Sequence, residues 1–360
     1  MFDLPKDKIL DAMYKVSFNY KIAEYYQTMF MMTDEDRYAR KCVRISNCYK
    51  YFNIDVYNQQ QITDIKQISL CNDKFCKNCQ NILSKQRYIR FKPFLDNLSD
   101  MYDLYHVTLT VPNCSGLFLN DTLDKMYDVF AKFIKVFRRN NSKHQYLNLD
   151  SLGYQGAVRS LEITLEKERK GFFHPHFHCI FVIKKDLDLE RCIVNKFSYK
   201  NGIFDRAFTS FEQTIQKLWY LVYNDIRITE DNFMQAEGYS CTAELTNYDY
   251  KEVFKYTLKE TFDDLVNDEV IFLTLERALR NRRIIQGYGA LFGISDLLDE
   301  EILQEAESDY LKYVNSLAAQ EDPLPLTIEY YMLRNEIDIN PDMQFISRNS
   351  IKGVIIYEEE

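Results

Sequence analysis

Polar and apolar positions alternate along 104–111, LYHVTLTV, with His106, Thr108 and Thr110 on one side and Tyr105, Val107, Leu109 and Val111 on the other. That period of two predicts a half-buried strand, which Pro112 and Asn113 end. From about 121 to 139 the period lengthens. Leu123, Met126, Val129, Phe130, Phe133, Ile134 and Phe137 form one stripe of a helix. Alternation returns in GAVRSLEITLEKE, 156–168, which sets Ser160, Glu162 and Thr164 against Leu161, Ile163 and Leu165. After the loop EKERKGFF comes the stretch 172–183, FFHPHFHCIFVI, another strand. Helical spacing marks residues 1 to about 40, 207–223 and 269–283, and a further strand is expected over 239–245. The pattern predicts an α+β fold, an antiparallel sheet flanked by helices.

The strand 172–183 carries three of the chain's five histidines, at 174, 176 and 178. Successive strand side chains point to opposite faces, so His176 and His178 project together while Phe177 and Cys179 turn away. If this strand pairs with 156–168 as a hairpin turning near Lys170, Glu162 falls opposite His178 and shares the imidazoles' face. Two neutral imidazoles and one carboxylate form an open site suited to Mg²⁺ or Mn²⁺, with the remaining positions left to water and substrate oxygens. A polar strand face in solvent is the alternative. Crowding ionisable groups beside a strongly apolar strand favours the metal. His174 precedes Pro175 at the strand's entrance, and its role stays open between structure, DNA contact and ligation.

Nine cysteines change the picture of the N-terminal third. CNDKFCKNCQ places Cys71, Cys76 and Cys79 in C-x4-C-x2-C spacing, and Cys48 or Cys42 could complete a closed tetrahedral zinc site, Cys48 being favoured. Buried thiols are the alternative, but Asp, Lys and Asn between the cysteines do not belong in a core. Lys85, Arg87, Arg90 and Lys92 follow as a basic run, either a phosphate contact or a solvated helix face.

A predicted helix over 250–259 sets Glu252 and Tyr256 four apart on one face, and Lys255 and Lys259 four apart on a neighbouring one. Beside a divalent site, Tyr256 is a candidate nucleophile, with Tyr248 and Tyr250 as competitors. Arg277, Arg280, Arg282 and Arg283 form a basic cluster, suited either to phosphate contact or to a helix C-terminus.

The net charge of −9 argues against a nucleic-acid partner only until its distribution is read. Residues 295–360 hold 16 Asp and Glu against 4 Lys and Arg, which leaves the body at +3. An acidic C-terminal extension on a mildly basic body is compatible with DNA binding, because local patches set the field. Aromatics at 15% fit either base stacking or a well-filled core, and Trp219 is assigned to the core. No stretch has the order of a signal peptide or the length of a bilayer span, so a cytoplasmic protein without a membrane partner is expected. In a reducing compartment the cysteines are explained by ligation and burial rather than by disulfides.

Four stretches, in order, carry a resemblance: CNDKFCKNC with its basic run, HVTLTVPN, the EIT and HPHFHCIFVI pair, and EVFKYTLK with RRIIQGYG. Together they resemble the plasmid rolling-circle replication initiator (Rep) family of the HUH endonuclease superfamily, over about residues 42–293. The resemblance implies an HUH-type sheet and a metal-dependent endonuclease that nicks single-stranded or hairpin origin DNA. His176 and His178 match the paired histidines, Glu162 the third metal-facing residue, Tyr256 the nicking tyrosine, and Glu252 the carboxylate assigned to activating water at termination. Nicking would leave a 5′-phosphotyrosine and a free 3′-OH, with strand closure or release at the end. Lys255, Lys259, Arg282 and Arg283 are the expected DNA-binding residues, and a host helicase and polymerase the expected partners. The implied organisation is an N-terminal helical segment (1–41), a Cys-rich zinc module (42–100), the nicking domain (101–294) and the acidic extension (295–360). Relaxases and transposases share the histidine pair, but relaxases usually carry the nucleophile ahead of the histidines, whereas here the tyrosine follows. A non-catalytic zinc-containing DNA-binding regulator is the remaining alternative.

Overall fold

The computed structural model describes residues 6–48, 51–57, 62–68, 71–137, 147, 149–185, 191–199, 202–239, 241–254, 258, 261–294, 324–326 and 345–353. Helices α1 (Lys6–Thr33) and α2 (Asp36–Ser46) come first, broken at Asp34, whose φ is 54°. Strands β1 (Tyr51–Tyr57) and β2 (Ile62–Ile68) precede the long helix α3 (Lys77–Ser99). Next are β3 (Tyr102–Thr110), the short β4 (Cys114–Ser115), α4 (Leu119–Val136), β5 (Gly156–Leu165) and β6 (Phe172–Lys184). The hairpin β7 (Arg191–Tyr199) and β8 (Gly202–Thr209) leads to α5 (Ser210–Tyr223), α6 (Glu230–Gln235) and β9 (Thr242–Leu245). The order closes with α7 (Phe262–Asn267), α8 (Glu269–Leu279), β10 (Ile285–Gly289), β11 (Leu324–Leu326) and β12 (Phe345–Gly353).

The chain packs as two units, one made of Met1–Leu83 with Asp299–Glu360 and the other of Ser84–Leu298. In the first, Tyr26 of α1 stacks on Tyr38 of α2 with ring centroids 6.3 Å apart. Its sheet has the order β11-β12-β1-β2. The described end of the acidic extension joins this sheet, where β12 pairs antiparallel along the whole of β1. An unpaired β1 edge would leave its N–H and C=O groups without partners, and β12 supplies them.

The second unit is built on the sheet β10-β5-β6-β3-β9, with β4 also beside β6. Phe177 and Phe181 of β6 meet Phe130 and Phe133 of α4 and its C-cap Phe137, and Phe133 meets Trp219 of α5, at centroid separations of 5.4, 6.3, 5.7 and 5.5 Å. The expected stripe on α4 is buried throughout. Trp219 is a core residue, as read from the sequence, and its Nε1–H donates to the Thr110 carbonyl at 2.7 Å, pinning α5 to β3. Helix α5 starts at Ser210 rather than 207, because the preceding residues pair in β8 and Thr209 forms a capping box with Glu212. Arg159 of β5 is fully buried, its guanidinium 4.0 Å from the Tyr127 ring centroid and 4.7 Å from that of Phe177.

The hairpin β5–β6 forms, but Glu162 lies opposite His176, and Ser160 opposite His178. The loop sets this register. The Glu166 N–H donates to the Phe172 carbonyl and the Phe172 N–H to the Arg169 carbonyl, so the turn centres on Arg169 rather than Lys170, with Gly171 at φ 78°. A slip of two residues preserves face parity, so Glu162 still shares the histidines' side. Pro175 falls between the last β3 pair (Thr110 with His176) and the first β4 pair (Cys114 with Phe173), where that flank of β6 has no ladder to interrupt.

Helix α8 ends at Leu279, short of the expected 283, with Arg280 extended at ψ 130° and Asn281 at φ 55°. The two glycines of the motif QGYG then have distinct duties. At Gly287 an added Cβ would lie 1.8 Å from the Leu291 carbonyl oxygen, and Gly289, at φ 60°, would push one to 2.3 Å from the Gln155 carbonyl. Gly289→Ala should cost about 1–3 kcal/mol from the left-handed backbone alone, before the clash is counted. Urea denaturation of the purified variant measures it, and an unchanged midpoint would show that the turn relaxes freely. No helix among the described residues is long and apolar enough to cross a membrane.

Candidate functional site

The polar sides of three neighbouring strands meet at the centre of the second unit. Glu162 of β5 and His176 and His178 of β6 bring one ligand atom each together. The Glu162 Oε2 lies 3.0 Å from His176 Nε2 and 2.6 Å from His178 Nε2, and the two nitrogens are 3.1 Å apart. Ligands about 2.1 Å from an octahedral ion stand about 3.0 Å from one another when adjacent. The triangle therefore matches one face of an octahedron and fits a divalent ion held from one side, with the opposite face available to oxygens of water or substrate. Side chains of the three are 11–13% exposed, which leaves the site reachable but largely desolvated. Burial pushes the Glu162 carboxyl up, but hydrogen bonds and charge from His176 and His178 outweigh it, so the carboxyl titrates well below the usual carboxylate range.

The surrounding residues fix the rings. His176 Nδ1 is 3.3 Å from the His174 carbonyl. His178 Nδ1 is 3.0 Å from His106 Nε2, the rings stacked at 5.1 Å, with Thr108 Oγ1 at 3.5 Å. The open question about His174 is narrowed by contact: its Nδ1 lies 2.6 Å from Asn113 Oδ1, and Asn113 donates to Glu166, which Arg169 grips through two nitrogens. Burial, then the neighbouring His176, pushes the His174 imidazole down. Sequence reading missed His106 and Asn113 as neighbours of the site. Period two already placed His106 on the Thr108 side, but only the β3–β6 register brings it beside His178.

The cysteine cluster lies in the first unit. Cys48, two residues past the end of α2, joins Cys71, Cys76 and Cys79, all four buried, whereas Cys42 stays outside the group. The sulfur of Cys48 lies 3.5 Å from those of Cys76 and Cys79, and that of Cys71 lies 3.6 Å from Cys79. Thiolates about 2.3 Å from a tetrahedral zinc would stand about 3.8 Å apart, so the four fit a closed, all-cysteine site. Hydrogen bonds from Cys48, Cys71 and Cys76 hold the Cys79 thiol well below its ordinary range, and the Asn72 N–H donates to the same sulfur at 3.3 Å. The knuckle is tied down by Tyr26, whose hydroxyl donates to Asp73 at 3.0 Å, and by Arg44, which donates to the Cys71 carbonyl at 2.8 Å.

Glu252 is half-buried in a single 3-10 turn, Lys251–Phe254, which packs on β5 and β6. This corrects the expected α-helix through 250–259 at its N-terminal end. The turn is anchored by the Asp249 side chain accepting from the Lys251 N–H and by Phe254 packing on Phe91 at 5.1 Å, and burial of Tyr250, Val253 and Phe254 decides its path. Tyr256, Lys255 and Lys259 lie outside the described residues. Arg282 is turned inward: its guanidinium binds the Asn120 carbonyl at 3.0 Å, Asp124 and the Ala278 carbonyl. Arg283 is exposed, and its carbonyl accepts from the Tyr127 hydroxyl at 2.6 Å.

A family model described as "Replication protein" matches residues 62–334. A protein described as "Protein rep" from Bacillus amyloliquefaciens is 26% identical over 300 residues, covering 79% of this chain and 80% of its own. No solved structure matches the chain.

Proposed function

The chain belongs to the replication-protein family, and from that premise we propose that it is a rolling-circle replication initiator of the HUH type, with residues 101–294 as its nicking domain. The observation that carries the reading is the triangle of Glu162, His176 and His178 on the two central strands of an antiparallel sheet. These three residues would hold one Mg²⁺ or Mn²⁺, which when bound supplies Lewis-acid polarisation of a phosphate oxygen. The group of Cys48, Cys71, Cys76 and Cys79 would hold a structural Zn²⁺.

In this reading Tyr256 gives up its proton and its oxygen bonds to the scissile phosphorus of single-stranded or hairpin origin DNA. The 3′ oxygen leaves and takes a proton, giving a 5′-phosphotyrosine and a 3′-OH that primes synthesis. The His174 carbonyl lies against Nδ1 of the His176 ring, and Asn113 in turn holds the His174 side chain. At termination Glu252 removes a proton from water as the water attacks the second scissile phosphate. The 3′ oxygen there leaves and takes a proton, and the new 3′-OH attacks the phosphotyrosine, so that the Tyr256 oxygen leaves with a proton and the strand is closed and released. Lys255, Lys259, Arg282 and Arg283 would meet the DNA backbone, a role for Arg282 that requires exchange of its present partners. A cytoplasmic location and a host helicase and polymerase belong to the same reading.

The test is incubation with an origin-derived single strand and Mn²⁺, resolved on a denaturing gel. A covalent protein–DNA adduct that EDTA prevents supports the nuclease. Binding without an adduct supports a zinc-containing DNA-binding regulator, and adduct formation that survives EDTA removes the metal from the reading. Glu252→Ala should leave initiation within about threefold while slowing the terminating hydrolysis by roughly 10²–10⁴-fold, the usual worth of a general base. Equal loss of both steps in a two-site oligonucleotide assay would assign Glu252 elsewhere.

A further inference from the structure

We propose that His106 is a positioning residue for the metal-facing ring of His178; the inference rests on the metal-site reading above. A neutral imidazole has one N–H and one lone pair. If His178 offers its Nε2 lone pair beside Glu162, its Nδ1 must carry the proton, and that N–H needs an acceptor. Two side chains are within reach: His106 Nε2 at 3.0 Å, and Thr108 Oγ1 at the outer limit of 3.5 Å. The stacked His106 ring is the better partner.

The two ligand imidazoles differ in this respect. His176 directs its Nδ1 to the His174 carbonyl, a backbone acceptor that no substitution removes, whereas His178 depends on a side chain. Accepting through Nε2 obliges His106 to carry its own proton on Nδ1. The β3–β9 register sets Glu244 directly across from His106, putting a carboxylate on the neighbouring strand. Glu244 thus stands directly across from His106, while His106, whose own partner on β6 is Ile180, reaches diagonally to the His178 ring two residues away.

The experiment is calorimetric titration with Mn²⁺ alone, on full-length, zinc-containing protein. His106→Phe keeps a flat ring without an acceptor and should weaken Mn²⁺ binding roughly 10–100-fold with zinc content and melting unchanged. His106→Gln, whose side-chain oxygen can accept, should stay within about threefold of wild type. Should His106→Phe unfold, His106→Leu replaces it. Wild-type affinity in His106→Phe, or equal loss in the Phe and Gln variants, overturns the proposal. A His176→Ala, His178→Ala double variant runs alongside: Mn²⁺ binding that survives it overturns the metal-site reading itself, a result separate from the His106 comparison.

Discussion

Tyr256→Phe is expected to abolish the covalent adduct on a labelled origin oligonucleotide, by roughly 10³-fold or more, while origin binding stays near wild type. Removing a nucleophile leaves only the contribution of binding and charge stabilisation, which is why the loss is so large. The placement of the preceding residues supports this choice. The turn Lys251–Phe254 packs on β5 and β6, the strands that carry the ligand triangle, and is held there by Ser84 donating to the Phe254 carbonyl. Tyr256 follows two residues later. Full adduct yield in the variant would move the nucleophile to a neighbour. Of the two, Tyr250 is 1% exposed, whereas Tyr248 is 65% exposed, so Tyr248→Phe would be the next variant to measure.

Loss of the cysteine cluster should be the largest effect on stability. Elemental analysis is expected to find about one zinc per chain, and Cys76→Ser to lose it. Binding of a structural zinc is worth about 10–16 kcal/mol, as much as the whole stability of an ordinary domain at about 5–15 kcal/mol. The first unit should therefore melt early in the variant, or in wild type treated with a strong chelator, while the Ser84–Leu298 unit keeps a separate transition. Circular dichroism melts followed with and without chelator read both transitions. Purified wild type without zinc, together with an unchanged melt in Cys76→Ser, would return the four residues to buried thiols.

Period-two and 3.6-residue patterns are enough to place β3, β5, β6 and the buried stripe of α4, because burial on one side writes itself directly into residue order. The ligand triangle is legible for the same reason: face parity survives a slip of two, so Glu162 is grouped correctly even though its cross-strand partner is His176. What periodicity cannot supply is register and partner choice between distant strands. His106 beside His178 depends on how β3 aligns with β6, and β12 beside β1 on which edge remains unpaired. The end of α8 and the 3-10 turn at Glu252 escape the pattern because capping and burial of a few aromatics decide them, and helical spacing in the residue order is compatible with either path.

The pairing of β1 with β12 sets an order of events during synthesis. Residues 51–57 emerge from the ribosome almost three hundred positions before residues 345–353, the strand they pair with. The Ser84–Leu298 unit is contiguous, so it can reach its native state while translation is still under way. The N-terminal sheet can close only once the C-terminal strand has been made. A ribosome stalled just after Leu298 has emerged should therefore display a protease-resistant Ser84–Leu298 unit on a chain whose N-terminal sheet is still open.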